Sequence, residues 1–174
     1  MSYFDIALIV IIAGFGFYGL WRGIVYVLIS LAGLVASLYL AVRYYDVGAA
    51  WLMSITGWQA NFSKVIIFVI SFIVINRLVV LIFWFINKAL TAITHLPIIR
   101  GLDRLAGFLF GVVEGALTLG VIFYFIARFP LGESFMGWMS SSIIVPHTVT
   151  MAGVFLPLIP DALKTIRSTI EGLL

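Results

Sequence analysis

The stretch LDRLAGFLFGVVEGALTLGVIFYFIA, Leu102 to Ala127, decides the fold. It contains neither proline nor strand-like alternation, and it reads as a single hydrophobic helix. At about 1.5 Å per residue it is long enough to cross a hydrocarbon core of roughly 30 Å. Gly107, Gly111 and Gly115 stand four apart, with Gly120 just beyond. Small residues at that spacing let a second helix backbone approach closely, which matters in lipid, where no hydrophobic force drives helices together. Glu114 falls on nearly the same face as Asp103, Gly107, Gly111 and Thr118, so the acid points with the small residues toward protein.

The rest of the chain agrees with that reading. Of 174 residues, 64% are hydrophobic and 10% charged, and the mean hydropathy is +1.23. Soluble chains are about half apolar and a quarter charged, so these values point to the bilayer as solvent. The net charge of +3 comes from ten basic residues scattered singly. Such residues suit helix ends at a membrane surface, and no nucleic-acid partner is expected. Cysteine is absent, which excludes disulfides, thiolate metal sites and cysteine nucleophiles. The N-terminus carries Asp5 and lacks the basic region of a secretory signal, so the first helix is expected to be retained.

The expected fold is therefore all-α: a polytopic membrane protein with four transmembrane helices and a C-terminal amphipathic tail helix. The spans fall at about 4–21, 24–42, 62–87 and 105–127 and form a four-helix domain over 1–128. Trp21, Arg22 and Gly23 make a tight turn after the first span. The segment 43–64, rich in Gly, Trp, Tyr, Ser and Asn, reads as a surface loop. The connection holding Lys88, His95, Pro97, Arg100 and Arg104 is the most basic loop. Over 129–174 the prolines at 130, 146, 157 and 160 interrupt every apolar run, which argues against a fifth span at 143–159. From Asp161 a short amphipathic helix is expected, with Leu163, Ile166, Ile170 and Leu173 on one face. The balance of Lys and Arg in the short loops favours extracytoplasmic termini.

An ionised side chain at bilayer depth costs a few kcal/mol or more unless paired or hydrated. Arg77 lies eleven residues before Lys88, and Glu114 ten residues after Arg104, which puts them roughly 16 and 15 Å deep. With spans three and four as antiparallel neighbours, the expectation is an Arg77–Glu114 intramembrane charge pair. It would either fix the packing of the two spans or line a polar site, to which Asn76 or Thr118 could contribute. The glycine face serves packing within the bundle or, alternatively, a homo-oligomer.

No catalytic, metal or cofactor site is expected. His95 and His147 lie in separate connections, and neither has a second ligand at i+4. The triple serine Ser140 to Ser142 precedes His147 without a G-x-S-x-G turn or an obvious orienting acid.

Asp5 near the start of the first span, Arg22 and Gly23 after it, and DRLAGFLFGVVEG beginning at Asp103 and Arg104 occur in an order and spacing that resemble the colicin V production protein family. SSSIIVP after the fourth span resembles that family's tail, so the likeness runs from residue 1 to about 146. The resemblance implies a four-span protein of the bacterial inner membrane, linked to production or export of the toxin colicin V. The function expected here is a non-enzymatic scaffold or accessory, partnered by the lipid bilayer and by an export or envelope-maintenance system. A small oligomeric channel or transporter is the alternative.

Overall fold

The computed structural model describes residues 2–91 and 100–158. Helix α1 runs Tyr3–Arg22. The Ser2 hydroxyl accepts from Phe4 N and Asp5 Oδ2 accepts from Ser2 N, a capping box at the helix start. Gly23 ends α1 with φ +85°, a conformation open to glycine and strained for other residues. Helix α2 then leaves at once as Ile24–Thr56, followed by α3 (Ala60–Thr91) and α4 (Arg100–Arg128). All four are long and apolar enough to cross a membrane, and the chain is a multi-pass membrane protein. Two short helices, α5 (Glu133–Ser140) and α6 (Ile144–Ala152), and a 3-10 turn at Gly153–Leu158 complete the described chain, in which no strand occurs.

The helices pack as two pairs, α1 on α4 and α2 on α3, and α4 joins the pairs through α2. Helices α3 and α4 scarcely touch, which corrects their expected side-by-side placement. Phe68 of α3 does stack on Phe125 of α4, with ring centroids 3.8 Å apart, and Tyr45 of α2 meets Phe125 edge-on at 5.0 Å. That aromatic cluster continues through Phe72, Leu38 and Val42 into the main core.

Residues 43–56 are helical, not a surface loop. Nothing between Arg43 and Thr56 breaks the helix, and Gly57, with φ +67° and its N–H on the carbonyl of Met53, ends it. Gly48 serves packing here: a β-carbon on it would lie 2.6 Å from Ile67 Cγ2. Asp46 pairs with Lys64 at 3.1 Å, and Lys64 also lies 4.9 Å from the ring of Phe129. At 33 residues, α2 is about 50 Å long and extends past the end of α4.

The chain beyond Arg128 turns back onto the bundle. Helix α6 lies across α4 at Gly120, where a β-carbon would overlap the carbonyl oxygen of Thr148. Val145, Val149 and Ala152 join the same core as Leu119 and Phe123. With nine residues, α6 reaches about 14 Å, so no continuous fifth helix occupies 143–158. His95 and the amphipathic helix expected from Asp161 lie outside the described residues.

Candidate functional site

The turn between α1 and α2 is built by residues far apart in sequence. Ile24 N, one of the free N–H groups in the first turn of α2, donates to Asp103 Oδ1 at 3.1 Å. A carboxylate there satisfies a free helix N–H and suits the positive end of the helix dipole. Gly23 is required twice, for its positive φ and because a β-carbon would overlap Asp103 Oδ2. Arg22 and Asp103 thus bracket one structure, while Arg104 is exposed in the first turns of α4.

From that turn α1 and α4 run together along their glycines. A β-carbon on Gly107 would overlap the Gly19 carbonyl oxygen, and one on Gly19 would overlap that of Gly107. On Gly111 it would lie 2.5 Å from the Phe15 carbonyl oxygen, and on Gly115 2.9 Å from Phe15 Cβ. The glycine face is covered by α1 of the same chain, so a second copy would have to use another surface.

At the far end of α1, Asp5 is fully buried. Its Oδ1 accepts from the Ser142 hydroxyl at 2.5 Å and from the backbone N–H groups of Ile143 at 3.1 Å and Ile144 at 3.4 Å. The Ser142 hydroxyl in turn accepts from Ile144 N and Val145 N, both at 3.2 Å. Ser142 therefore caps α6 and fastens it to α1. The sequence alone offers this serine only as part of a weak nucleophile candidate. The signal that could have found its role is a serine just ahead of an apolar run with proline in the first turn, a helix-start pattern. Ser140, Ser141 and His147 bond backbone carbonyls three or four residues away in their own helical segments.

Glu114 is buried, and its direct partner is Ser30 of α2, whose hydroxyl donates to Oε1 at 2.5 Å. Arg77 does not reach it: the ion pair found among the described residues is Lys64–Asp46. Equal depth in two helices does not make them lateral neighbours, and α3 faces α2 here instead of α4. The Arg77 guanidinium lies 6.0 Å from the ring centroid of Tyr18 on α1. Arg77 and Glu114 nonetheless share the wall of a cavity of about 270 Å³, with Ile11, Gly14, Phe15, Tyr18 and Ser30. A second cavity, of about 370 Å³, is lined by Tyr18, Arg22, Tyr26, Arg77, Val80 and Leu81. Tyr18 and Arg77 belong to both, so the two form one groove across α1, α2 and α3. Tyr18 and Tyr26 join hydroxyls at 3.1 Å. Arg22 lies over both rings, at 5.5 and 5.1 Å. Asn76 Oδ1 and Thr118 Oγ1 are buried without a hydrogen-bond partner and line neither cavity.

Among the described residues no group of three or more His, Asp or Glu side chains is placed to hold a metal ion. The groove offers instead two guanidinium groups, two phenols, a serine and a carboxylate, from Arg22 at the end of α1 inward to Glu114. It can bind and orient a polar group.

The colicin V production protein family matches residues 4–153. The chain is 26% identical over 144 residues to a colicin V production protein homolog of Haemophilus influenzae, covering 82% of this chain and 83% of that one. No solved structure matches it. The family match takes in α1, the Gly23 turn, the glycine helix and the Asp5–Ser142 junction, and the chain belongs to the colicin V production protein family.

Proposed function

We propose that this protein is a non-enzymatic accessory of an export or envelope-maintenance system in the bacterial inner membrane, acting in production of a colicin V-type toxin. The observation that carries this reading is the use made of the two motif acids. Asp5 binds the start of α6 and Asp103 the start of α2, so both act as structural ties that set the shape of a small bundle. A scaffold needs such a fixed shape, and the family's name supplies the process. In this reading the termini are extracytoplasmic, the partners are the bilayer and an export or envelope protein, and no cofactor takes part.

The test is secretion. Deleting the gene in a toxin-producing strain is expected to lower secreted toxin while its transcript stays unchanged, and this chain restores secretion. Unchanged secretion in the deletion strain would contradict the proposal.

A second reading, a small oligomeric channel or transporter, is favoured by the groove. Arg77, Glu114 and Ser30 face one cavity at a depth where ionisable residues commonly serve ion or substrate paths.

A further inference from the structure

We propose that the groove between α1, α2 and α3 binds the phosphate group of an anionic phospholipid, held by Arg22, Arg77 and the paired hydroxyls of Tyr18 and Tyr26. The cations come first. Both guanidinium groups sit around one aromatic ring, 5.5 and 6.0 Å from the centroid of Tyr18. Neither is in an ion pair among the described residues: Arg22 hydrogen-bonds the Tyr18 hydroxyl and Arg77 faces Glu114 only across the smaller cavity, and both side chains are exposed. Ring faces attract a cation but leave the planar N–H donors unfilled. Two cations around one ring repel each other, and an anion bound between them offsets that repulsion. Phosphate matches the guanidinium fork and accepts several such bonds at once.

The hydroxyl pair adds a donor. When one phenol donates to the other across 3.1 Å, the acceptor's own hydrogen remains for a ligand in the 370 Å³ cavity that both rings line. Glu114, the acid of the neighbouring cavity, is engaged by Ser30. With two guanidinium groups against one carboxylate, the lined groove stays net cationic.

The surroundings select a lipid over a soluble anion. Val80 and Leu81 line the cavity, and Leu78, Leu81 and Ile82 form an exposed apolar surface on α3 next to it. An acyl chain can lie there while its phosphate enters the groove. Arg22 is in the last turn of α1 with the exposed Trp21 beside it, 5.9 Å from that ring. Arginine and tryptophan together at a span end mark the headgroup level, and basic pockets between spans are suited to anionic headgroups.

The test is lipid retention by the full-length purified chain, measured by native mass spectrometry from micelles holding equal dioleoyl phosphatidylglycerol and dioleoyl phosphatidylcholine. The wild type is expected to retain the anionic lipid about tenfold over phosphatidylcholine, whose phosphate is the same but whose trimethylammonium group is repelled by the two guanidinium groups. Arg22→Gln with Arg77→Gln is expected to bring that ratio near one. If this variant does not fold, Tyr18→Phe with Tyr26→Phe keeps the rings and is expected to lower the amount of anionic lipid retained about threefold. A wild-type ratio near one, or retention of the anionic lipid unchanged in the folded variant, would overturn the proposal. So would displacement of the lipid by millimolar inorganic phosphate, which would make the ligand a soluble anion.

Discussion

Asp5 and Ser142, 137 residues apart, meet at 2.5 Å between the start of α1 and the start of α6. The carboxylate receives a hydroxyl and two backbone N–H groups from the α6 side and a fourth donor, Ser2 N, from its own helix. A buried carboxylate is stable when its lone pairs are met in this way, which explains an acid that leaves no surface to water. Ser142→Ala is expected to lower the unfolding midpoint in detergent by about 2–4 °C. Combined with Asp5→Asn it should cost less than the two single losses together, because they break one network. Strict additivity in that cycle would mean that the two residues act separately.

The glycines divide into crowded and open positions, and the difference is measurable. Gly107→Ala forces a methyl group into the Gly19 carbonyl, and overpacking of this kind costs typically 1–3 kcal/mol. Gly14, in the middle of α1, has nothing within 4 Å of an added β-carbon, so Gly14→Ala is expected to be neutral or slightly stabilising. Thermal unfolding of the two variants in one detergent compares them. Equal effects would contradict the close approach of α1 and α4.

Glu114 should couple to Ser30 and only weakly to Arg77. A hydrogen bond to a charged group is worth about 1.5–3 kcal/mol, whereas the Arg77 charge acts through a cavity without direct contact. Two double-mutant cycles, Ser30→Ala with Glu114→Gln and Arg77→Met with Glu114→Gln, separate the pairs. A larger coupling energy in the second cycle would restore the charge pair expected from depth alone.

Residue types along one line revealed more of this molecule than did relations between lines. The four spans are visible in the apolar runs, and the spacing of Gly107, Gly111 and Gly115 shows a face made for close approach, because both signals are local. Which helix covers that face is a tertiary fact, settled by matching glycines on α1 that the sequence shows without pairing them. The same gap misdirected Arg77, since depth can be counted from a helix end but lateral neighbours cannot. Arg43, Asp46 and the aromatics after them resembled a loop because their composition is that of a surface. The α2–α3 pairing, with Gly48 under Ile67 and Asp46 against Lys64, keeps that segment helical. The role of Ser142 is not legible locally because its partner, Asp5, lies 137 residues away.

The proposed topology rests on the charge balance of the short loops. The chain has no native cysteine, so single cysteines report position cleanly. Ser54→Cys, in the exposed end of α2, is expected to react with an impermeant thiol reagent from outside. His95→Cys is expected to react only after the membrane is opened. The reverse pattern would invert the proposed orientation.

Flux through the purified protein tests the accessory reading most directly. The full chain would be reconstituted in vesicles, its folded state checked by thermal unfolding, and potassium, chloride and proton leak compared with protein-free vesicles. A structural accessory is expected to give leak equal to that of the empty vesicles, in wild type and in Glu114→Gln alike. Leak above that level in the wild type, abolished by Glu114→Gln or Arg77→Gln in a folded variant, would contradict the account and establish the groove as a conduction path.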